Sequence, residues 1–157
     1  MEPDVEKFRL AKERAHQIYT AQRTVRCPYL NQDVILNSDG FHHLQFSARR
    51  ERNKKEQLLK FRLLPLGLWL IKHSATLQEY RKILSPVGKV STRDGMTSMK
   101  NIEYWGFFAI IGEEKAVKVR VVLRRIGDGN ITFWSVMFGA KMKDRTQKLS
   151  APGIEDE

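Results

Sequence analysis

Apolar side chains recur every three or four residues at the start of the chain, which is the spacing of one face of an α-helix. Charged residues separate these apolar positions, which are Val5, Phe8, Ala11, Ala15, Ile18 and Tyr19. Pro3 and Asp4 precede them, and a proline in the first turn and an acid at the positive end of the dipole favour a helix start. The pattern predicts an amphipathic helix that ends near residue 22.

The middle of the chain alternates turn signals with apolar runs. Asp33 to Leu36 is a strand candidate, and Asn37 to Gly40 is a turn and capping signal that leads into a helical turn. A second helical pattern runs to about His73, and Pro65 either ends that helix or opens another one. Thr76 to Ile83 is a further strand candidate.

Three strand-like runs follow a turn-rich loop at residues 85–101. They cover residues 104–111, 117–125 and 131–138. Asp128 and Gly129 supply the positive φ angles of a tight hairpin turn, so Gly127 is expected to pair with Asn130. Helices first and an antiparallel meander afterwards predict an α+β fold, with N-terminal helices packed on a twisted antiparallel sheet of about four strands.

The length of 157 residues favours a single folded core. We divide the chain into an N-terminal amphipathic helix at 1–24, one α+β domain at 25–140 and a polar tail at 141–157, which we expect to be loose. The single cysteine, Cys27, excludes an intrachain disulfide and is expected to be a small buried apolar residue.

Positive charge dominates the composition. The chain has 28 lysines and arginines against 18 acids, a net charge of +10. Such an excess favours a polyanionic partner such as nucleic acid, or an anionic membrane surface, although a solubilising charged surface is the alternative. No stretch approaches the roughly 18 apolar residues of a membrane span, and the polar N-terminus lacks the apolar core of a secretory signal. We therefore expect a cytoplasmic protein with no membrane partner.

The run from Lys118 to Arg125 alternates valines with basic side chains. With Gly127 opposite Asn130, one face of the hairpin is a core side made of Val119, Val121, Leu123, Trp134, Val136 and Phe138. The other face carries Lys118, Arg120, Arg124, Phe133, Ser135 and Met137. A hydroxyl between two guanidinium groups, beside an aromatic ring, suits a phosphate and a stacked base. An ordinary solvated sheet face is the alternative.

His42 and His43 follow the capping signal and precede an arginine-rich stretch. Histidine moves protons near neutral pH, as general acid–base cleavage of RNA requires. Neighbouring helical residues point about 100° apart, so only one histidine is expected to face a site; a surface or partly packed histidine is the alternative. No histidine or carboxylate spacing suggests a metal site, and no phosphate-binding loop is present, so we expect no cofactor.

Five short motifs together suggest a family resemblance. They are Gly40-Phe41-His42-His43-Leu44, Leu63-Leu64-Pro65 before Ile71-Lys72-His73-Ser74, Thr76-Leu77-Gln78-Glu79-Tyr80-Arg81, Val119 to Gly127, and Phe133-Trp134-Ser135-Val136. In this order they resemble small phage- and mobile-element-associated nuclease-like domains of the barnase/EndoU/colicin/RelE-type fold. The resemblance covers about residues 25–138. It implies N-terminal helices on a four-stranded antiparallel sheet, and metal-independent RNA cleavage by attack of the ribose 2′-hydroxyl.

The resemblance also implies roles for particular residues. His43 matches the Gly-x-x-His-Leu position, with His42 as the alternative, and Arg120 and Ser135 match positions on the sheet. These four are the predicted catalytic residues of a toxin-like ribonuclease. The predicted nucleic-acid contacts are Arg49, Arg50, Tyr80, Arg81, Tyr104, Lys118, Arg124 and Phe133. A non-catalytic nucleic-acid-binding module is the alternative, and an acidic antitoxin or immunity protein is a further expected partner beside RNA.

Overall fold

A computed structural model describes residues 4–112, 114 and 116–139. The helices in this part of the chain are α1 (Val5–Ala21), α2 (Ser38–Gln45) and α3 (Lys54–Lys72). The strands are β1 (Thr24–Cys27), β2 (Gln32–Ile35), β3 (Glu79–Val87), β4 (Ser98–Ile111), β5 (Val117–Ile126) and β6 (Thr132–Phe138). The fold is α+β, as predicted, while the predicted polar tail at 141–157 lies outside the described residues.

The described strands form one six-stranded sheet in the order β1-β2-β6-β5-β4-β3. Neighbours are antiparallel except β2 and β6, which run parallel and meet at Ile35 and Thr132. The prediction of about four antiparallel strands was therefore wrong in number and in direction. The strands β1 and β2 have four residues each, too few for a periodic pattern to show their pairing partner.

The predicted core side of β5 packs against the helices. Val119, Val121 and Leu123 are fully buried in a cluster that also contains residues of all three helices. We call this side of the sheet the helix face. Gly67 lets α3 come close to it, since a Cβ atom at that position would lie 2.8 Å from Cγ2 of Val136. The expectation of valines in the core is confirmed.

Helix α1 starts beside Asp4, the acid that the sequence placed near the helix start. The Asp4 side chain accepts a hydrogen bond from the Glu6 amide at 3.0 Å and caps the helix, which ends at Ala21; Pro3 lies outside the described residues. Farther along α1, the buried Tyr19 hydroxyl donates to the carbonyl oxygen of Asn37, and burial raises the pKa of this hydroxyl. This bond joins α1 to the residue that caps α2.

Helix α3 continues through Pro65, although the sequence predicted a break there. A proline inside a helix lacks the amide hydrogen that would bond to the carbonyl four residues earlier. Phe61, Leu64 and Leu68 are buried on both sides of Pro65, so packing against the sheet favours one uninterrupted helix. Cys27 is also buried, as predicted, with Sγ 3.3 Å from the Ser74 hydroxyl oxygen.

The hairpin between β5 and β6 departs from the predicted register near its turn. Val119 pairs with Phe138 and Val122 with Ser135, as expected, but Leu123 pairs with Phe133 because a β-bulge leaves an extra residue at Trp134. The faces of Phe133 and Trp134 were therefore predicted wrongly. Strand β5 ends at Ile126 and β6 begins at Thr132. The connection between them is therefore longer than the predicted two-residue turn, and it fixes a different register.

The strands β3 and β4 are longer than predicted. Their ladder runs from the pair Glu79–Gly106 to the pair Val87–Ser98, so the predicted loop at 85–101 is reduced to residues 88–97. On its other side β4 pairs with β5 only as far as Ile102. Residues 84–101 therefore extend beyond β5 as a two-stranded ribbon, which we call the β3–β4 arm.

Among the described helices, none is long and apolar enough to cross a membrane.

Candidate nucleic-acid interface

The side of the sheet opposite the helix face carries the basic side chains of β5, and we call it the basic face. It has a small apolar centre formed by Ile102, Tyr104, Val122 and Met137. Lys118, Arg120, Val122 and Arg124 are two residues apart along β5, so their side chains lie on the same side of the sheet. The predicted basic face therefore exists, although it is not a uniformly solvated surface.

Arg120 forms an ion pair with a carboxylate on the basic face. Its Nε lies 2.8 Å from Oε1 of Glu79 on β3, and its Nη2 donates to Oε2 at 3.0 Å. The first contact is close in distance but is not an aligned hydrogen bond. The pair spans β4 at Gly106, where a Cβ atom would lie only 3.0 Å from the Glu79 side chain. A glycine in the middle strand thus leaves room for the carboxylate to reach Arg120.

Arg124 stacks on an aromatic ring. Its guanidinium carbon lies 3.6 Å from the centroid of the Trp134 ring, a favourable cation–π contact. The Trp134 ring in turn stacks on His43 of α2, with 3.9 Å between centroids. The part of the chain that the structure describes offers Arg124 no carboxylate partner, and it offers no hydrogen-bond acceptor to the buried Nε of Arg124 or Nε1 of Trp134. The bulge in β6 makes this stack of His43, Trp134 and Arg124 possible, because it places the Trp134 side chain on the basic face.

The two histidines lie in different environments. His43 is 5% exposed, and its Nε2 lies 3.2 Å from Nη2 of Arg52. A guanidinium only donates, so Nε2 of His43 is the acceptor and carries no proton in this arrangement. His42 is exposed and stacks on Phe46, with 4.4 Å between ring centroids. Only His43 therefore adjoins the basic face, in line with the expectation that one histidine would.

Ser135 lies opposite Val122, as predicted, but it is fully buried. The Lys60 ammonium group of α3 donates to its hydroxyl oxygen at 3.1 Å and to the Val136 carbonyl oxygen at 3.0 Å. The Ser135 hydroxyl thus joins α3 to β6. The expectation that Ser135 is available to a ligand between Arg120 and Arg124 disagrees with this burial.

The other predicted contacts fall into three groups. Arg81 pairs with Tyr104 across β3 and β4, which places both on the basic face, where Arg81 is exposed and Tyr104 is buried. Arg49 and Arg50 are exposed between α2 and α3.

Tyr80 and Phe133 lie on the helix-face side instead. Tyr80 pairs with Trp105 and donates its hydroxyl hydrogen to Oε2 of Glu103 at 2.7 Å. Phe133 is fully buried, with its ring 5.9 Å from that of Tyr19. The prediction that Phe133 belongs to the basic face was wrong, because the bulge at Trp134 reverses the two residues.

Three residues near the basic face were not predicted from the sequence to be site residues: Lys60, Glu79 and Trp134. Lys60 carried one signal, since it directly precedes the buried residues Phe61, Leu63 and Leu64 of α3. A lysine in such a run has to reach a polar partner. For Glu79, Gly106 and Arg120, only the pairing of three strands shows that they belong together.

The basic face combines arginines, a carboxylate and stacked rings, which are groups that bind anions, accept protons and stack on bases. Among the described residues no group of three histidine, cysteine or acidic side chains is placed to hold a metal ion. Comparison of the chain with protein-family models, curated protein sequences and solved structures finds no match.

Proposed function

We propose that the basic face binds single-stranded RNA, with Arg124 contacting a phosphate. The observation that carries this proposal is the contrast between the arginines of β5. Arg120 and Arg125 pair with Glu79 and Glu103, whereas Arg124 has no carboxylate partner in the described part of the chain. An arginine that stacks on a ring and keeps its charge uncompensated is suited to a phosphate.

The stacking around Arg124 supports a base contact beside the phosphate contact. His43 and Arg124 cover the two sides of the Trp134 ring. Arg124 is a partly exposed residue, and we expect a base to stack on the outer side of its guanidinium plane. RNA-binding proteins use arginine planes in this way for unstacked bases. The net charge of +10 adds attraction at a distance, and that attraction weakens with salt.

Fluorescence anisotropy with a fluorescein-labelled 12-nucleotide single-stranded RNA tests this proposal. We expect Arg124→Ala to weaken binding by about tenfold, the loss of one charged phosphate contact of about 1.4 kcal/mol. Arg124→Lys keeps the charge and loses the planar stack, so it should recover only part of the affinity. Arg62→Ala, an exposed arginine on α3, is the control of equal charge. Equal losses at Arg62 and Arg124 would show that binding depends on net charge alone.

RNA cleavage is a second candidate function, favoured by the carboxylate of Glu79 beside Arg120. In this reaction Glu79 takes the proton of a ribose 2′-hydroxyl, and the 2′-oxygen attacks the adjacent phosphorus. The 5′-oxygen leaves with a proton from a general acid, so the products are a 2′,3′-cyclic phosphate and a 5′-hydroxyl. Arg120 and Arg124 stabilise the charge of the transition state. Both groups contact an arginine, but a carboxylate has several lone pairs, so Glu79 can bond to Arg120 and still accept a proton. The single Nε2 lone pair of His43 already accepts a bond from Arg52, so Glu79 suits the base role better.

A cleavage assay in EDTA separates binding from catalysis. If the protein cleaves, Glu79→Gln should reduce the rate by about 100-fold or more, the usual contribution of a general base. The double substitution His42→Ala and His43→Ala tests the predicted role of the histidines separately from that of Glu79. An unchanged cleavage rate in this variant would exclude both histidines from the mechanism. RNA that stays intact with the wild-type protein would rule out cleavage, and the anisotropy measurement would then decide whether the basic face binds RNA. The toxin role, the acidic antitoxin or immunity protein and the cytoplasmic location stay predictions from the sequence.

A further inference from the structure

The β3–β4 arm is an ordered projection beside the basic face. Its last four strand pairs, from Leu84–Asn101 to Val87–Ser98, are made by β3 and β4 alone. Its tip is closed by backbone hydrogen bonds from Ser91 to Met96 at 2.8 Å and from Gly95 to Ser91 at 2.9 Å. The arm therefore has a defined shape, which a binding element needs.

The arm presents more positive than negative charge to solvent, with three exposed cations and one exposed acid. Lys89, Arg93 and Lys100 are exposed, and the described part of the chain shows no ion pair for any of them. The arm's one acidic residue is Asp94. The Asp94 carboxylate accepts a hydrogen bond from the Met96 amide at 2.9 Å, and this bond lowers the pKa of the carboxyl group. Asp94 thus serves the turn at the tip.

Large apolar side chains project from the same arm. Their exposed fractions are 63% for Leu84, 60% for Val90, 71% for Met96 and 52% for Met99. Lys100 pairs with Ser85, on the same side of the sheet as Arg124, so the positive charge of the basic face continues onto the arm. Apolar side chains between cations are the combination that inserts into a nucleic-acid groove or between base steps.

We infer that the β3–β4 arm binds a double-stranded segment of RNA next to the single strand on the basic face. Lys89, Arg93 and Lys100 contact phosphates, and Val90 and Met96 at the tip contact the shallow minor groove, where double-stranded RNA is accessible to side chains. A second copy of this chain is a poorer occupant, since both arms are positively charged. The inference rests on the proposed RNA-binding function and narrows its substrate to RNA with a helical part.

The test uses two labelled probes: a blunt 16-base-pair RNA duplex and the 12-nucleotide single strand. For the duplex we expect the triple substitution Lys89→Ala, Arg93→Ala and Lys100→Ala to weaken affinity by about tenfold or more. The slope of log affinity against log salt should fall by about one for each cation removed. Affinity for the single strand should change by less than about threefold, since Arg124 is untouched.

The matched control removes the same charge from another element, by Lys7→Ala, Lys12→Ala and Arg14→Ala on the exposed side of α1. An equal loss of duplex affinity in this control would overturn the inference, because net charge alone would then explain binding. The double substitution Val90→Ser and Met96→Ser tests the tip, and unchanged duplex affinity would exclude groove contact by these side chains.

The two probes distinguish the two proposals. Wild-type protein that binds the single strand and not the duplex overturns the arm inference and leaves the proposed function standing. Binding of the duplex alone, lost in the arm variant, supports the arm and contradicts single-strand binding on the basic face. Binding of neither probe overturns both.

Discussion

Several charged side chains that are buried or partly buried in the described part of the chain have specific polar contacts. Lys60 reaches a hydroxyl and a carbonyl oxygen on β6, Arg120 reaches Glu79, and Arg125 reaches Glu103. Each contact offsets part of the cost of removing a charge from water. Burial alone would raise the pKa of Glu103, but hydrogen bonds from Arg125 and Tyr80 outweigh it and hold the pKa below the ordinary value of 4.5.

Glu103 should make the fold sensitive to acid. Its pKa is lowered by folding, so its contribution to stability is present above about pH 4.5 and is lost as the pH falls through the folded-state pKa. We expect Glu103→Gln to lower the free energy of unfolding by about 1–2 kcal/mol at pH 7. Urea titrations from pH 7 to pH 3 should show this difference shrinking. A difference that stays constant across this pH range would contradict the role of the Glu103 charge.

Two glycines allow helices α2 and α3 to pack closely against β6, a role that the sequence did not predict for them. Gly67 brings α3 onto β6, and Gly40 brings α2 against the same strand, since a Cβ atom there would lie 2.4 Å from the Phe133 carbonyl oxygen. The approach of α2 is what places His43 on the Trp134 ring. The position of the histidine therefore depends on small residues in the helices as well as on the bulge in the strand.

Replacement of Gly67 by alanine should destabilise the fold despite the higher helix propensity of alanine. The added methyl group overlaps Val136, which is β-branched and rigid, so we expect a loss of about 1–3 kcal/mol. Adding Val136→Ala should relieve the overlap and give a coupling of about 1 kcal/mol or more in a double-mutant cycle measured by urea unfolding. Val121, at 3.7 Å from the same Cβ position, is the control partner. Equal coupling with Val121→Ala would contradict this explanation.

At the scale of the whole molecule, α1 shares its core with the sheet. Ala15 and Tyr19 are buried in the main cluster, and the rings of Phe8 and Phe61 lie 5.8 Å apart. The predicted boundary near residue 24 thus falls between elements that pack together. An element that buries its apolar face in a common core is expected to unfold with that core.

Unfolding in urea should therefore be a single transition. Circular dichroism at 222 nm reports the helices, and the fluorescence of Trp69, Trp105 and Trp134 reports α3 and the sheet. We expect the two normalised curves to coincide, with one midpoint and one slope. An earlier transition in circular dichroism alone would show that α1 unfolds by itself. Removal of a methyl group from Ala15, by Ala15→Gly, should move both curves together.

The sequence by itself determined properties that belong to one element at a time. The alternation in β5 predicted a valine core side and a basic side, and the pattern around Asp4 predicted where α1 starts. It also predicted that Cys27 is buried. Periodicity reports how one strand or helix is buried along its own length, and capping is decided within a single turn.

Only the tertiary structure decided the arrangement of the candidate site. A one-residue bulge moved Trp134 to the basic face and Phe133 to the core, since a shift of one residue reverses every side chain that follows. The Glu79–Arg120 pair spans three strands, and the Lys60–Ser135 bond joins α3 to β6. These contacts depend on the register and distance of elements far apart in the chain, which local patterns of polarity do not encode.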